Sequence, residues 1–269
     1  MDRAGEAIMS VLYYDCFAGM SSDMHLAALL NLGVDYDELM IELARLGVSG
    51  YGIQASRATR QGITGVQVRV VIDPKQPCHH DLRQIEAMIG ASALKDTVRS
   101  RAIAVFRRLA EAEARIQDTS PDRADLYDLG SLDALVSIVA GSIALDRLNV
   151  DQIWCSPVEL GGGVTHGRHG LLPAPTPTTL ELLKGMPIKL GGVPFEATTP
   201  TGAALLAALV DEFVMRPQIV VDRVGYGIDP RDGSFPNVLR VCLGELPMAS
   251  GAYGEQCVLE CTIDDMNPE

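Results

Sequence analysis

The stretch VLYYDCFAGMSSDM, Val11 to Met24, carries five residues of strand character into a glycine turn, a serine pair and an acidic residue. Val11 to Asp15 reads as a short buried strand, and the residues after Asp23 read as a helix running to Leu32 and stopped by Gly33. Strand-to-helix turns of this kind aim backbone N–H groups at whatever lies above the sheet, which suits an anion. Ser21 or Ser22 can cap the helix or bind a phosphate oxygen, and Asp15 and Asp23 can hold a cation beside it. The same residues also describe an ordinary capped helix with Asp23 in its first turn.

Working outward, Tyr36 to Leu46 reads as a second helix ended by Gly47. Tyr51 to Ser56 and Val66 to Ile72 read as strands around a turn at Gln61 to Gly65, and Asp73 to His80 as a loop. The apolar spacing from Leu94 to Ile116 predicts a long amphipathic helix whose apolar face is broken only at Glu113. Ser131 to Leu148 is apolar on more than one side and predicts a central helix. Ile153 to Cys155 and Val193 to Glu196 read as short strands, Gly225 to Gly227 as a turn, and Gln218 to Val224, Val238 to Leu243 and Cys257 to Ile263 as further strands. Strands recur in hairpin-like pairs without regular βα alternation, so the expected fold is mixed α/β, α+β-like, with helices packed around short strands.

A second segment, GGGVTHGRHGLLPAPTPTTLELLKG from Gly161 to Gly185, places His166 and His169 in a glycine-rich loop. Thr176 can cap the helix that follows, with Pro177 at its first position and Gly185 after its end. A third start, TTPTG from Thr198 to Gly202, repeats the pattern. Three such starts suggest a shared cradle that takes a phosphate or carboxylate without basic residues, provided the three helix ends converge. Thr199, Thr201 and Gly202 are its candidates on the third.

The chain has 22 Lys and Arg against 35 Asp and Glu, a net charge of -13, and no basic run, which argues against a long nucleic acid as partner. Six cysteines, at 16, 78, 155, 242, 257 and 261, lie outside any C-x-x-C pair and read as reduced thiols. No apolar stretch is long enough for a membrane span and no signal peptide is evident, so neither membrane nor export is expected. Metal-ligand candidates are His79 and His80, His166 and His169, and the carboxylates Asp125, Asp128 and Asp133. His25 reads as a packing or surface histidine. Nucleophilic hydrolysis finds no G-x-S-x-G elbow, and the phosphate-loop and dinucleotide fingerprints are also missing.

DCFAGMSSDM, the histidine pair near residue 80, LYDLGSLDALVSI, HGRHGLLPAPTPTTLELLKG, TTPTGAALL, GYGIDPRD with PNVLRVCLGE, and ECTIDDMNPE occur in this order. Together they resemble the LarC-type nickel-insertion proteins, across about Val11 to Glu269. The resemblance implies a cytoplasmic nickel chelatase, a lyase that matures the nickel-pincer cofactor of lactate racemase. It would form carbon–nickel and sulfur–nickel bonds in pyridinium-3,5-bisthiocarboxylic acid mononucleotide, with CTP and manganese or magnesium.

Under that resemblance Asp15, Cys16, Ser21, Ser22, Asp23, Thr199, Thr201 and Gly202 are expected at the substrate, and His79, His80, His166, His169 and Asp128 at the metal. Two departures stand out. Asp125 to Asp128 occupy the place of the family's H-x-H-E, and Ser137 that of a second aspartate. The resemblance also divides the chain into an extension at 1–10, an N-terminal domain at 11–256, and at 257–269 the start of a C-terminal domain, truncated or separately encoded, that handles CTP. That domain or a partner chain, and a second copy of this chain in a homo-oligomer, are the expected partners. The alternatives are a non-enzymatic metal- or nucleotide-binding subunit, a metallochaperone that has diverged from nickel handling, and a metal-dependent phosphate-ester hydrolase.

Overall fold

The computed structural model describes residues 9–75, 79–167, 170–231 and 235–247. The strand expected at Cys257 to Ile263 lies outside them. Along the chain run β1 (Ser10–Asp15), α1 (Ser22–Asn31), α2 (Tyr36–Leu43), β2 (Tyr51–Arg60), β3 (Ile63–Ile72), α3 (Leu82–Ala91), α4 (Asp96–Ile116) and α5 (Leu132–Leu148). These are followed by β4 (Gln152–Cys155), β5 (Val158–Glu159), β6 (Val164–Gly167), β7 (Gly170–Pro173), α6 (Pro177–Leu182), β8 (Ile188–Lys189), α7 (Pro200–Leu209), β9 (Glu212–Phe213), β10 (Val220–Ile228) and β11 (Val238–Glu245).

Seven strands form one mixed sheet in the order β2-β3-β10-β11-β1-β4-β9. The β2–β3 hairpin, β10–β11 and β11–β1 are antiparallel, whereas β1–β4 and β4–β9 are parallel. The fold is therefore the expected mixed α/β. Gln61 and Gly62 turn the hairpin with positive φ of 48° and 82°, the conformation a two-residue turn between right-twisted strands demands. Both hairpin strands run closer to that turn than the apolar pattern indicated.

Helix α1 lies on β10 and β3 and against α5, and α4 packs on α3, α5, α6 and α7. Leu12, Tyr14, Leu26, Leu29, Phe106, Leu109, Leu135, Ile138, Leu239 and Val241 belong to the single core these helices close over the sheet. Helix α5 is buried along almost its whole length, as its all-round apolar character requires.

Gly225-Tyr226-Gly227 is not a turn but part of β10. The glycines serve close packing: a Cβ at Gly227 would stand 1.9 Å from the Met24 carbonyl oxygen, and one at Gly225 2.4 Å from that of Ala28. Two side chains are missing so that α1 can rest directly on the strand. Val193 to Glu196 forms no strand beyond an isolated bridge between Gly161 and Glu196. Helix α3, with its Asp81–Gln84 capping box, was not anticipated from the sequence.

Candidate functional site

The three loops that precede α1, α6 and α7 meet along Phe195 to Gly202. A Cβ at Gly19 would stand 2.2 Å from the Ala197 carbonyl oxygen, and one at Gly161 1.8 Å from that of Phe195. Gly19 and Gly161 have φ of 83° and 77°, in the left-handed region that only glycine enters freely. Backbone bonds complete the clamp: Gly162 N–H donates to Phe195 (3.1 Å), Ala197 N–H to Leu160 (3.1 Å) and Thr199 N–H to Met20 (3.0 Å). Buried Glu159 braces the glycine loop, its Oε1 accepting from Gly161 N–H (2.8 Å) and Gly192 N–H (3.1 Å).

Helices α1 and α7 are joined at their starts. Ser22 Oγ accepts from Thr201 Oγ1 (3.3 Å) and from Ser137 Oγ (3.0 Å). Ser21 and Thr199 are the two N-caps, accepting from Met24 N–H and Gly202 N–H. Gly202 has a packing role, since a Cβ there would stand 2.1 Å from the Met20 carbonyl oxygen. The start of α6 opens elsewhere: Thr176 and Pro177 share with Pro200 of α7 a cleft of about 370 Å³. The expected cradle is thus two linked contacts, α1 with α7 and α6 with α7.

The cleft is lined by Asp128, Thr165, His166, Thr176, Thr178, Glu113 and Glu196, among others. Asp128 and His166 stand at its exposed rim. Glu113, the break in the apolar face of α4, is buried and saturated, its Oε1 accepting from Thr178 (2.6 Å) and its Oε2 from Gln117 (2.8 Å). Glu196 differs. Its Oε2 accepts from Thr165 Oγ1 at 3.4 Å, while its buried Oε1 has no partner. Burial pushes its carboxyl up from the ordinary value, against the opposing pull of Thr165 and Arg231.

The histidine pair docks on the turn that contains Asp128. His79 Nδ1 lies 3.0 Å from the Tyr127 carbonyl oxygen and His80 Nδ1 3.2 Å from that of Gly130. A carbonyl can only accept, so each Nδ1 carries a proton, which in a neutral ring leaves Nε2 as the nitrogen that could bind a metal. Gly130 permits the docking, because a Cβ there would stand 2.1 Å from the His80 carbonyl oxygen. His169 lies outside the described residues. Among the described residues no three His, Cys, Asp or Glu side chains are arranged to hold a metal.

Asp15 and Asp23 have different neighbours. Asp15 is ion-paired to Arg240 across the β1–β11 ladder. Asp23 faces Asp133 and Asp229, and burial with those like charges pushes its carboxyl up to about 6. Asp229 in turn binds Arg231 at two points, 2.8 and 2.9 Å. The Cys16 thiol is buried 3.7 Å from that of Cys155, so only its backbone faces the loops: its N–H donates to Ser156 Oγ and its carbonyl accepts from Glu159 N–H. His25 is buried and bonded to the Tyr14 hydroxyl at 2.9 Å, a packing residue. Cys16, Cys155 and Cys242 are free thiols.

Sequence reasoning passed over Glu159 and Glu196. Both are lone carboxylates in otherwise apolar or small-residue runs, a signal that was available at each.

These features define a mixed α/β protein in which the His166 loop and the starts of α6 and α7 wall a mainly apolar cleft, while the Gly19 loop braces the Phe195–Gly202 segment from outside it. The model of the family described as nickel insertion protein matches residues 12–269. A pyridinium-3,5-bisthiocarboxylic acid mononucleotide nickel insertion protein of Clostridium kluyveri is 43% identical over 273 residues, covering 97% of this chain and 68% of the relative. Namesakes in Clostridium acetobutylicum and Desulfitobacterium hafniense are 40% and 41% identical over 294 and 266 residues, each covering 97% of this chain and 70% and 66% of the relative. No solved structure matches. The chain belongs to the nickel insertion protein family, and it spans about two-thirds of the length of these relatives.

Proposed function

We propose that this chain binds pyridinium-3,5-bisthiocarboxylic acid mononucleotide in the cleft and takes part in inserting nickel into it. The observation that carries this reading is the clamping of Phe195–Gly202 between the Gly19 and Gly161 loops. It sets His166, Asp128, Glu196 and the start of α7 around a volume of about 370 Å³, within the roughly 300–1,000 Å³ of small-molecule sites.

The residues expected at the substrate, Asp15, Cys16, Ser21, Ser22, Asp23, Thr199, Thr201 and Gly202, do not line this cleft; their proposed part is to support it from the α1–α7 side. Cys16 contributes backbone, Asp15 acts with Arg240, and Ser22, Thr201 and Gly202 hold α1 and α7 together. The start of α7, whose Pro200 lines the cleft, suits the phosphate. Nickel, as cargo, is handled by His79, His80, His166, His169 and Asp128. Such a set does not stand assembled among the described residues, so nickel would draw these groups together or share them with the thiocarboxylate sulfurs.

A ring with thiocarboxylates at positions 3 and 5 holds a metal between its sulfurs, in line with ring carbon 4. The reaction is accordingly a lyase-class insertion that makes two sulfur–nickel bonds and one carbon–nickel bond, and its product is the cofactor of lactate racemase. No phosphate-binding loop motif marks a place for CTP with manganese or magnesium in this sequence. We assign CTP to the further length of protein that the relatives possess, supplied as a C-terminal domain, which 257–269 would begin after a domain at 11–256, or as a partner chain. A homo-oligomer in the cytoplasm is the proposed setting. No helix among the described residues is long and apolar enough to cross a membrane.

The test incubates the chain with nickel(II), CTP and the mononucleotide, with and without the remaining third of a relative. Nickel-loaded cofactor, in either arm, supports the reading. Absence of mononucleotide binding in both arms contradicts it.

A further inference from the structure

The unpartnered oxygen of Glu196 points to a role in the chemical step, an inference that rests on the function proposed above. For nickel held between the two sulfurs to bond to the ring, the bond between carbon 4 and its hydrogen must break. The electron pair of that bond becomes the carbon–nickel bond, the sulfurs contribute lone pairs, and a proton leaves. Nickel remains divalent and nothing is oxidised or reduced, so the step needs one further participant: a base.

We propose that Glu196 is the catalytic base, its carboxylate accepting the proton from ring carbon 4. Among the cleft carboxylates it alone combines a buried oxygen left without a hydrogen-bond partner with a desolvated setting. Glu113 has both oxygens occupied by Thr178 and Gln117, and Asp128 stands exposed at the rim. Glu196 Oε1 is buried without a partner while Oε2 is steadied by Thr165. Burial raises the Glu196 carboxyl, which makes its carboxylate a stronger base than an exposed one.

Its backbone is fixed at both sides. The peptide bridges Gly161, and the carbonyl accepts from Arg231 Nη1 at 3.0 Å. The Arg231 guanidinium also lies over the Phe195 ring, 5.4 Å from its centroid. The glycines of two motifs therefore serve to hold one carboxylate at the cleft wall.

The experiment uses the chain supplemented with the remaining third of a relative, nickel(II), CTP and the mononucleotide. Glu196→Gln keeps the size of the side chain and its contact with Thr165. It is expected to leave the affinity for nickel-free mononucleotide within about twofold and to slow loss of the carbon-4 proton, followed by NMR, by about 100-fold or more. Thr165→Val removes a bond that stabilises the charged carboxylate, so the acid limb of the rate profile should move to higher pH. Glu113, Asp128, His166 and Arg231 also bear on this cleft, and their persistence in both variants makes that shift specific to Glu196.

Conversion by Glu196→Gln within about threefold of an active wild type, or an unmoved acid limb in Thr165→Val, overturns the assignment and leaves the proposed function standing. A wild type that binds no mononucleotide overturns both.

Discussion

Gly161 and Glu196 face each other across a single antiparallel bridge, so close that a Cβ at 161 would stand 1.8 Å from the Phe195 carbonyl oxygen. The glycine of one motif thus sets the position of the carboxylate of another. Gly161→Ala meets both a backbone clash and a φ of 77°, and should cost about 2 kcal/mol or more in chemical denaturation. Gly162→Ala is the control, since its nearest neighbour would be at an ordinary 3.5 Å, and it should change stability by less than about 0.5 kcal/mol. Equal stability of the two variants would show that the bridge is not a constraint.

Gly227→Ala tests the seat of α1 on β10. With the Met24 carbonyl oxygen 1.9 Å from the new Cβ, helix and strand must separate, and a loss of about 3 kcal/mol is expected. Thermal unfolding measures it, and a variant as stable as the parent would contradict the packing described.

Asp23 supplies a pH signature. Its carboxyl is raised from 3.8 to about 6, first by burial and then by Asp133 and Asp229. The folded protein therefore holds this proton more tightly than the unfolded chain, and the stability it contributes in acid is lost as pH rises through 4 to 6. Asp23→Asn should raise stability by about 2 kcal/mol at pH 8 and leave it nearly unchanged at pH 4. Melting curves at the two pH values decide this, and destabilisation at pH 8 would mean the charge is compensated in the native state.

The histidine pair supplies a metal signature. Because both Nδ1 atoms face carbonyl oxygens, His79→Ala and His80→Ala should each weaken nickel(II) binding by about tenfold, or 1.4 kcal/mol. Calorimetric titration with nickel chloride measures this, and wild-type affinity in both variants would remove the pair from nickel handling.

Most helices and the sheet strands near them were legible because burial imposes a period. Helix α5 is buried along almost its whole length and α4 on one face, and their side chains say so. The Gly225-Tyr226-Gly227 run misled for the opposite reason: these glycines answer to the carbonyls of α1, a partner about 200 residues away that local pattern cannot register. The motifs around the cleft were legible as loops rich in glycine and hydroxyls. Their joining was not, because Ser22 with Thr201 and Gly19 with Ala197 are each more than 170 residues apart in sequence. Glu196 stands out in the sequence only as a lone carboxylate in an apolar and small-residue run; that one of its oxygens is left without a partner is a property of its surroundings, which the sequence does not carry.

The claim on which the rest depends is that the cleft between the His166 loop and the starts of α6 and α7 is the site for the pyridinium mononucleotide. The most direct measurement is an amide NMR titration of the chain with the nickel-free mononucleotide. Thr165, His166, Glu196 and Thr201 should shift together with one saturation curve, and Gly161→Ala should abolish the response. Saturable shifts confined to residues outside the cleft, or none at millimolar ligand, would contradict it.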